Sequence, residues 1–392
     1  MILPELRHLE HADTWGDLDP EPIAWLEAAE AEAARAAAPT RARSTLERAA
    51  GVAGKALTLV AGLWLFILAL QLMKSGAAAL APRLENSSLT DGVASALGLG
   101  WLGALLVMSG SPVAASALSL EAGGTLSRDE AFAMLTGSRL GAAFVVLLVG
   151  FVYALRRKSG RRAPLSIGVA ALVMTALAYL PGLFIGLALL RGGVLEPVRL
   201  GPPPFFLDLI GMSTDPLVSA VEPLGGWLFP LGVIVLLSAF KLIDRLLPTF
   251  EGGGFDERAR FYVGSWGMFG LGCLVALITM SVSVALTVLV PLVTRGVFRR
   301  EQALPYIAGA NVTTLGDTLV AAILLGSLDA VRVVVAQVLV VAAVTLLLLA
   351  FAWRLVGRLA LGASDHALAS RPRLAGFVAA LFCVPIALIA LR

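Results

Sequence analysis

The chain has 392 residues, 58% hydrophobic and 15% charged, with a mean hydropathy of +0.87 and a formal net charge of +3. A soluble domain cannot hide that much apolar surface, so an all-α polytopic membrane protein is expected. Cys273 and Cys383 both lie in apolar segments and read as small core residues rather than a disulfide or metal pair, while His8, His11 and His366 lie outside those segments and leave no intramembrane imidazole cluster.

Residues 1–55 are expected to form a cytoplasmic N-terminal helical arm. Asp19-Pro20 punctuates it, and Glu21–Ala50 is rich in residues that favour helix. No apolar core follows Met1, so no cleavable signal peptide is expected. Apolar runs of spanning length follow at 56–74, 131–155, 164–190, 224–247, 303–327, 331–356 and 373–391. Two further segments, 98–121 and 264–294, are rich in Gly, Ser and Thr and carry Ser-x-Ser near their middle. Each reads either as one full span or as a helix–break–helix that dips in and returns. Broken backbone at membrane depth must be surrounded by protein or by a water-filled cavity.

Charge separates these readings. Arg41, Arg43, Arg48 and Lys55 precede the first span and put the N-terminus in the cytoplasm. Arg156, Arg157, Lys158, Arg161 and Arg162 belong on the same side, which demands an even number of crossings between 56 and 155. The spans 56–74 and 131–155 already supply two, so 98–121 should not cross. By the same count Lys241, Arg245, Arg295, Arg299, Arg300, Arg354 and Arg358 fall inside and residues 191–222 outside.

The sequence also repeats itself. At an offset of 172, positions 98–141 meet 270–313 without a gap, pairing Gly98/Gly270, Gly100/Gly272, Met108/Met280, Ser109/Ser281, Ser111/Ser283, Gly124/Gly296, Arg128/Arg300 and Gly137/Gly309. The offset carries 56–74 onto 228–246 and 131–155 onto 303–327. Each copy then reads as span, re-entrant hairpin, span, span. An odd number of crossings makes the two copies inverted, the construction of many secondary transporters. The expected organisation is an arm at 1–55, repeat 1 at 56–190, an extracytoplasmic connecting loop at 191–223, repeat 2 at 224–362, and a C-terminal extra span within 363–392.

Ser109-Gly110-Ser111-Pro112 and Ser281-Val282-Ser283 stand at the two hairpin breaks. A broken helix exposes free N–H groups that attract an anion and free carbonyls that attract a hard cation, and serine hydroxyls serve either. The alternative is that Ser and Gly only permit close helix packing. Gly137-Ser138-Arg139-Leu140-Gly141 and Gly309-Ala310-Asn311-Val312-Thr313-Thr314 form a second symmetric pair. The latter offers neutral oxygen ligands suited to a monovalent cation or an oxyanion, with Thr279 nearby in the hairpin. Arg139 replaces the amide at the first copy; its planar fork suits an oxyanion or carboxylate, unless it snorkels to the interface from a helix end about two turns into its span. Asp317 is the one acid inside 303–327 and reads as a partner for Arg139, a cation ligand, a proton carrier or half of a structural ion pair. Glu121 and Asp129 read as solvated loop charges.

At these residues the chain resembles the type II sodium–phosphate cotransporter family, bacterial members included. Gly309-Ala310-Asn311-Val312-Thr313-Thr314 is similar to that family's Gly-Ala-Asn-Ile-Gly-Thr-Thr segment, and Met108-Ser109-Gly110-Ser111 and Met280-Ser281-Val282-Ser283 stand at its two Gln-Ser-Ser-Ser positions. Gln71-Leu72-Met73-Lys74-Ser75-Gly76 and Gly124-Thr125-Leu126-Ser127-Arg128-Asp129-Glu130-Ala131 look like its first span end and its turn. The resemblance covers about 56–362 and implies a secondary-active symporter of inorganic phosphate with sodium as coupling ion, in a bacterial plasma membrane. It implies substrate binding at Ser109, Gly110, Ser111, Ser281, Val282, Ser283 and Arg139, and cation binding at Asn311, Thr313, Thr314, Asp317 and Thr279. The chain departs from the family at both glutamines, at the middle serine of each triplet and at Arg139, so a fixed cation stands where one sodium would bind and coupling would be altered. Expected partners are phosphate, sodium, the bilayer and a second copy in a homodimer, with no nucleic acid and no further cofactor. Two other classes compete: a channel or non-transporting scaffold, and a lipid-pyrophosphate phosphatase-like enzyme. The enzyme would require Arg after a hairpin Ser and a Glu on the preceding helix, and both are lacking here.

Overall fold

The computed structural model describes residues 45–84, 92–155, 162–201, 204–245, 264–279, 282–294 and 296–391. Ser281 and most of the N-terminal arm therefore lie outside the described residues. The regular structure among them is helical, without a strand. Leu57–Arg392 forms one compact unit, which holds the site described below. The helices run in order α1 (Thr45–Leu84), α2 (Val93–Val107), α3 (Gly110–Ala122), α4 (Arg128–Ala142), α5 (Phe144–Leu155), α6 (Arg162–Arg191), α7 (Pro204–Val221), α8 (Leu228–Asp244), α9 (Ser265–Thr279), α10 (Val282–Thr287), α11 (Leu289–Thr294), α12 (Arg300–Thr313), α13 (Gly316–Leu325), α14 (Leu328–Phe351), α15 (Trp353–Ala367) and α16 (Arg371–Ala390).

Among the described residues, seven helical stretches are long and apolar enough to cross a membrane: Val52–Pro82, Arg128–Leu155, Arg162–Arg191, Asp208–Ile243, Arg300–Leu325, Leu328–Phe351 and Arg371–Ala390. Each overlaps one of the seven runs read from hydropathy, and together they describe a multi-pass membrane protein. The two Gly/Ser-rich segments behave differently. At 15 residues, α2 and α9 are about 22 Å long, short of the roughly 30 Å hydrocarbon core. After α2 the chain breaks at Met108 and Ser109. Met108 takes a left-handed conformation (φ 56°) and Ser109 an extended one (φ −153°, ψ 137°). Met108 is the single described non-glycine residue with positive φ, a conformation that costs about 1–3 kcal/mol and persists where its surroundings impose it. A Cβ at Gly103 would lie 3.4 Å from Val113 Cγ1, so α3 returns alongside α2.

The sequence repeat is also a repeat of contacts. A Cβ at Gly100 would collide with the Met134 carbonyl, and one at Gly272 with the carbonyl of Tyr306, 172 positions after Met134. Gly137 presses on Leu97 O and Trp101 N; Gly309 presses on Phe269 O and Cys273 N, again at that offset. Thus α2 packs on α4 as α9 packs on α12, backbone against backbone, which lets small residues replace bulky ones at a membrane helix interface. The turns before α4 and α12 agree too. Gly124 and Gly296 have φ of 75° and 74°, Thr125 N–H donates to Leu120 O (2.8 Å) and Val297 N–H to Leu292 O (2.9 Å). The Ser127 N–H donates to Glu130 Oε2, and the Arg299 N–H to Gln302 Oε1, both at 2.9 Å.

Three expectations change. The connecting segment 191–223 is not loop throughout, because Pro204 opens α7, which runs to Val221 and is joined to α8 by a 3-10 turn at Glu222–Trp227 with Gly225 out of helical geometry (φ 54°, ψ −125°); proline fits a first helical turn, where its missing N–H has no intrahelical role. The second span begins at Arg128 rather than at 131, because Ser127 and Glu130 cap it ahead of the apolar run. Glu121 is half-buried and accepts from Ser327 Oγ at 2.9 Å, rather than standing free in a loop.

Candidate functional site

The spans carrying the symmetric motifs are both interrupted. Helix α4 gives way to α5 at Ala143, and α12 to α13 at Thr314 and Leu315. Ala143 and Leu315 stand 172 positions apart, so the interruption belongs to the repeat. Arg139 lies in the last turn of α4 and Asp317 in the first turn of α13. A helix C-terminus favours a cation and an N-terminus an anion, typically by 0.3–1 kcal/mol and up to about 2 when partly buried. Each charge therefore occupies the helix end that stabilises it.

Early capping sets the depth of Arg139. It follows Arg128 by eleven residues, about 16 Å of helix, and is only 3% exposed. The snorkelling alternative does not hold. Arg139 Nη2 donates to the Thr318 hydroxyl, which donates to Asp317 Oδ1 at 2.9 Å; the Thr318 N–H reaches the same oxygen at 2.6 Å. Guanidinium and carboxylate are themselves 3.8 Å apart, with both side chains buried. The amide at the second copy belongs to the same buried region. Asn311 Nδ2 donates to Thr175 Oγ1 at 3.0 Å, and the Tyr179 hydroxyl donates to the Asn311 carbonyl at 2.8 Å. Thr314 adjoins that phenol and is itself buried. One turn before Arg139, Thr136 donates to Gln337 Oε1 on α14 at 2.7 Å, inside a fully buried setting.

Three hydrogen-bonded couplings thus join the two copies: Arg139–Thr318–Asp317, Thr175–Asn311–Tyr179 and Thr136–Gln337. Their valences are incomplete. Arg139 Nε, Gln337 Nε2, Asp317 Oδ2 and Thr314 Oγ1 are buried without a hydrogen-bond partner among the described residues. A buried polar atom without a partner costs about 1–3 kcal/mol, so the region holds two N–H donors, one carboxylate acceptor and one hydroxyl whose demand the protein leaves open.

The predicted residues divide accordingly. Arg139, Asn311, Thr314 and Asp317 come together. Thr313 Oγ1 instead donates to the Cys273 carbonyl at 2.9 Å, fastening α12 to α9 where the first copy has Gly141 against the Trp101 carbonyl. Thr279 Oγ1 donates to Val275 O at 2.8 Å, at the end of α9. Ser109 and Ser111 are half-buried at the first break; Gly110 packs beside the Ser138 carbonyl, one residue from Arg139. Ser281 lies outside the described residues, and Val282 and Ser283 open α10. Thr318, Tyr179, Thr175, Thr136 and Gln337 are additions. Gln337 alone left a trace in the sequence, as the one amide in a 24-residue apolar helix. No group of three or more His, Cys, Asp or Glu able to hold a metal occurs among the described residues. No family model, curated protein or solved structure matches the chain.

Proposed function

We propose that this chain is a secondary-active transporter of a small oxyanion, with inorganic phosphate the first substrate to test. Its two copies would form an inverted repeat whose helix–break–helix segments are re-entrant, and alternating access would come from one copy moving against the other. The observation that carries this reading is Arg139, a fixed cation buried where two interrupted helices from the two copies meet. Its unaccepted Nε lies one turn from the Thr136–Gln337 pair, whose Nε2 is also unaccepted. Two open N–H donors in one buried region, one of them on the guanidinium itself, match an oxyanion. Free helix-end groups at the breaks, near Ser109, Gly110 and Ser111 in the first copy and at the equivalent Ser281, Val282 and Ser283, would complete the passage.

In this mechanism the anion enters the guanidinium's coordination as Asp317 withdraws, so substrate exchanges for an internal carboxylate rather than meeting a bare charge. Asp317, with the oxygens of Asn311 and Thr314, would provide the hard ligands for sodium, and Arg139 would supply one positive charge that a second sodium otherwise brings. A non-transporting scaffold is the competing reading, and closure of the Arg139–Asp317 pair favours it. Vesicles reconstituted with the full chain decide between the two. Radiolabelled phosphate uptake above empty vesicles, dependent on sodium less steeply than in a two-sodium symporter, is expected. No uptake of phosphate or sulfate under any imposed sodium or proton gradient would leave the scaffold.

A further inference from the structure

The last helix is attached to the rest of the bundle along only part of its length. Its C-terminal half lies against α2, where Pro385 O stands 2.6 Å from a Cβ position at Gly98, and the Phe382 ring meets Phe144 edge-on at 5.7 Å between centroids. Its N-terminal two turns diverge from the α5–α6 pair. That pair is itself rigid: Gly150 seats the Pro164 carbonyl at 2.5 Å from its Cβ position, and Gly168 presses on the Leu147 backbone. The divergence leaves a wedge of about 400 Å³, lined by Phe144, Leu147, Phe151, Leu165 and Val378 among other apolar residues, with Arg371 the single polar residue on its wall. The volume lies within the roughly 300–1,000 Å³ range of small-molecule sites.

We propose that this wedge binds one anionic phospholipid, an acyl chain lying between α16 and the α5–α6 pair and the phosphate resting on Arg371. Position supports the assignment. Arg371 is the first residue of a 20-residue span, about 30 Å long, so it stands at headgroup level. Val378, seven residues on, lies about 10 Å deeper, so the wedge runs from the headgroups into the acyl region. Charge supports it as well. Arg371 is exposed and makes no ion pair among the described residues. Arg162, also exposed, opens α6 one turn before Leu165 and on the same helix face. Two uncommitted cations over an otherwise apolar cleft select a ligand with a negative head and a hydrocarbon tail. Anionic phospholipid presents that pair at a membrane surface, where each basic residue adds measurable attraction.

Native mass spectrometry of the purified full chain tests the site, using palmitoyl-oleoyl phosphatidylglycerol and phosphatidylcholine at equal concentration. Wild type should retain phosphatidylglycerol over phosphatidylcholine by more than about fivefold, the effect of one basic side chain at an anionic surface. Arg371→Gln should lower the ratio by about that factor, and Arg371→Gln with Arg162→Gln should bring it close to one. Ala375→Trp and Leu148→Trp, which fill the wedge from its two sides, should lower retention of phosphatidylglycerol itself. Arg199→Gln, an equal loss of charge on an exposed residue remote from the wedge, should keep the wild-type ratio. Circular dichroism and a melting scan confirm that each variant is folded. The proposal fails if wild type shows no preference or if Arg199→Gln removes it as fully as Arg371→Gln. It also fails if folded wedge-filling variants bind as wild type does, or if free oleate displaces the phospholipid completely.

Discussion

Replacing Arg139 by Gln asks the most of this structure. The substitution removes a guanidinium that faces Asp317 at 3.8 Å and donates to Thr318, while Asp317 stays buried with only the Thr318 hydroxyl and N–H to accept from. Deleting one member of a buried ion pair costs about 3–5 kcal/mol, chiefly through the charge left behind, whereas replacing both members is often close to neutral. The α13 N-terminus offsets up to about 2 kcal/mol of this, so a net loss of about 1–3 kcal/mol is expected. The shift per kcal/mol falls with chain length, from roughly 2–4 °C at about 150–250 residues, so for 392 residues the melting temperature should fall by a few °C. Arg139→Gln combined with Asp317→Asn should recover more than half of it. The assay is a melting scan of detergent-purified protein, with and without phosphate. The recovered double variant should also lose the phosphate-induced stabilisation that a bound ligand confers, because its anion-binding cation is gone. Additive losses in the double variant would refute the pairing. A double variant that folds, binds and transports as wild type does would refute the role of Arg139 in anion binding and leave the pair purely structural.

The repeated contacts make matched predictions. Gly100→Ala and Gly272→Ala place a methyl against a carbonyl in equivalent interfaces, and both should sharply reduce folded yield in a detergent size-exclusion profile. Gly98→Ala meets the Pro385 carbonyl at 2.6 Å while Gly270, its counterpart, has open space around it; Gly98→Ala should loosen α16, read as faster proteolysis near its N-terminus, and Gly270→Ala should not. Outside the spans, burial raises the Glu121 carboxyl above its ordinary value of 4.5, although the Ser327 hydroxyl opposes the shift. A raised folded pKa adds stability that is complete below the unfolded value and disappears as pH rises through the folded one. Glu121→Gln should therefore melt above wild type at pH 7, with the gap narrowing toward pH 4; a gap independent of pH would contradict the shift.

How much of this was legible in the sequence depended on where each partner lay. The seven spans were readable because hydrocarbon demands long apolar runs, and the break at Met108–Ser109 because Gly and Ser interrupt that segment. The repeat register paired Gly100 with Gly272 and Gly137 with Gly309 without saying what they touch; the structure shows backbone against backbone at all four. Depth was misjudged where polar capping extends a helix beyond its apolar run: hydropathy starts the second span at 131, but Ser127 and Glu130 start it earlier and carry Arg139 inward. The helix at Pro204–Val221 was hidden behind a Pro-rich run for a related reason, since proline interrupts helix interiors but is tolerated in first turns. Thr175, Tyr179, Thr318 and Thr136 were not readable at all. Each is an ordinary hydroxyl on an apolar helix, and its role exists only through a partner more than a hundred residues away or through the Arg139 it bridges.

The two copies kept their scaffold and diverged at its centre, and helix electrostatics suggests why that divergence is tolerable. The contacts of Gly100 and Gly137 match those of Gly272 and Gly309, and the turns before α4 and α12 agree, so the interrupted helices present their ends in a similar way in both copies. At those ends one copy carries Arg139 at a helix C-terminus and the other Asp317 at a helix N-terminus. Exchanging the two side chains would set each charge against the adverse dipole, at roughly 0.6–2 kcal/mol per site for the full reversal, without altering the apolar packing around them. The exchanged protein, Arg139→Asp with Asp317→Arg, retains a charge pair of the same composition. It should nevertheless melt below Arg139→Gln/Asp317→Asn, which carries no charge to misplace. A swapped variant as stable as wild type would show that the pair's attraction alone fixes these residues and that the helix interruptions contribute nothing to their placement.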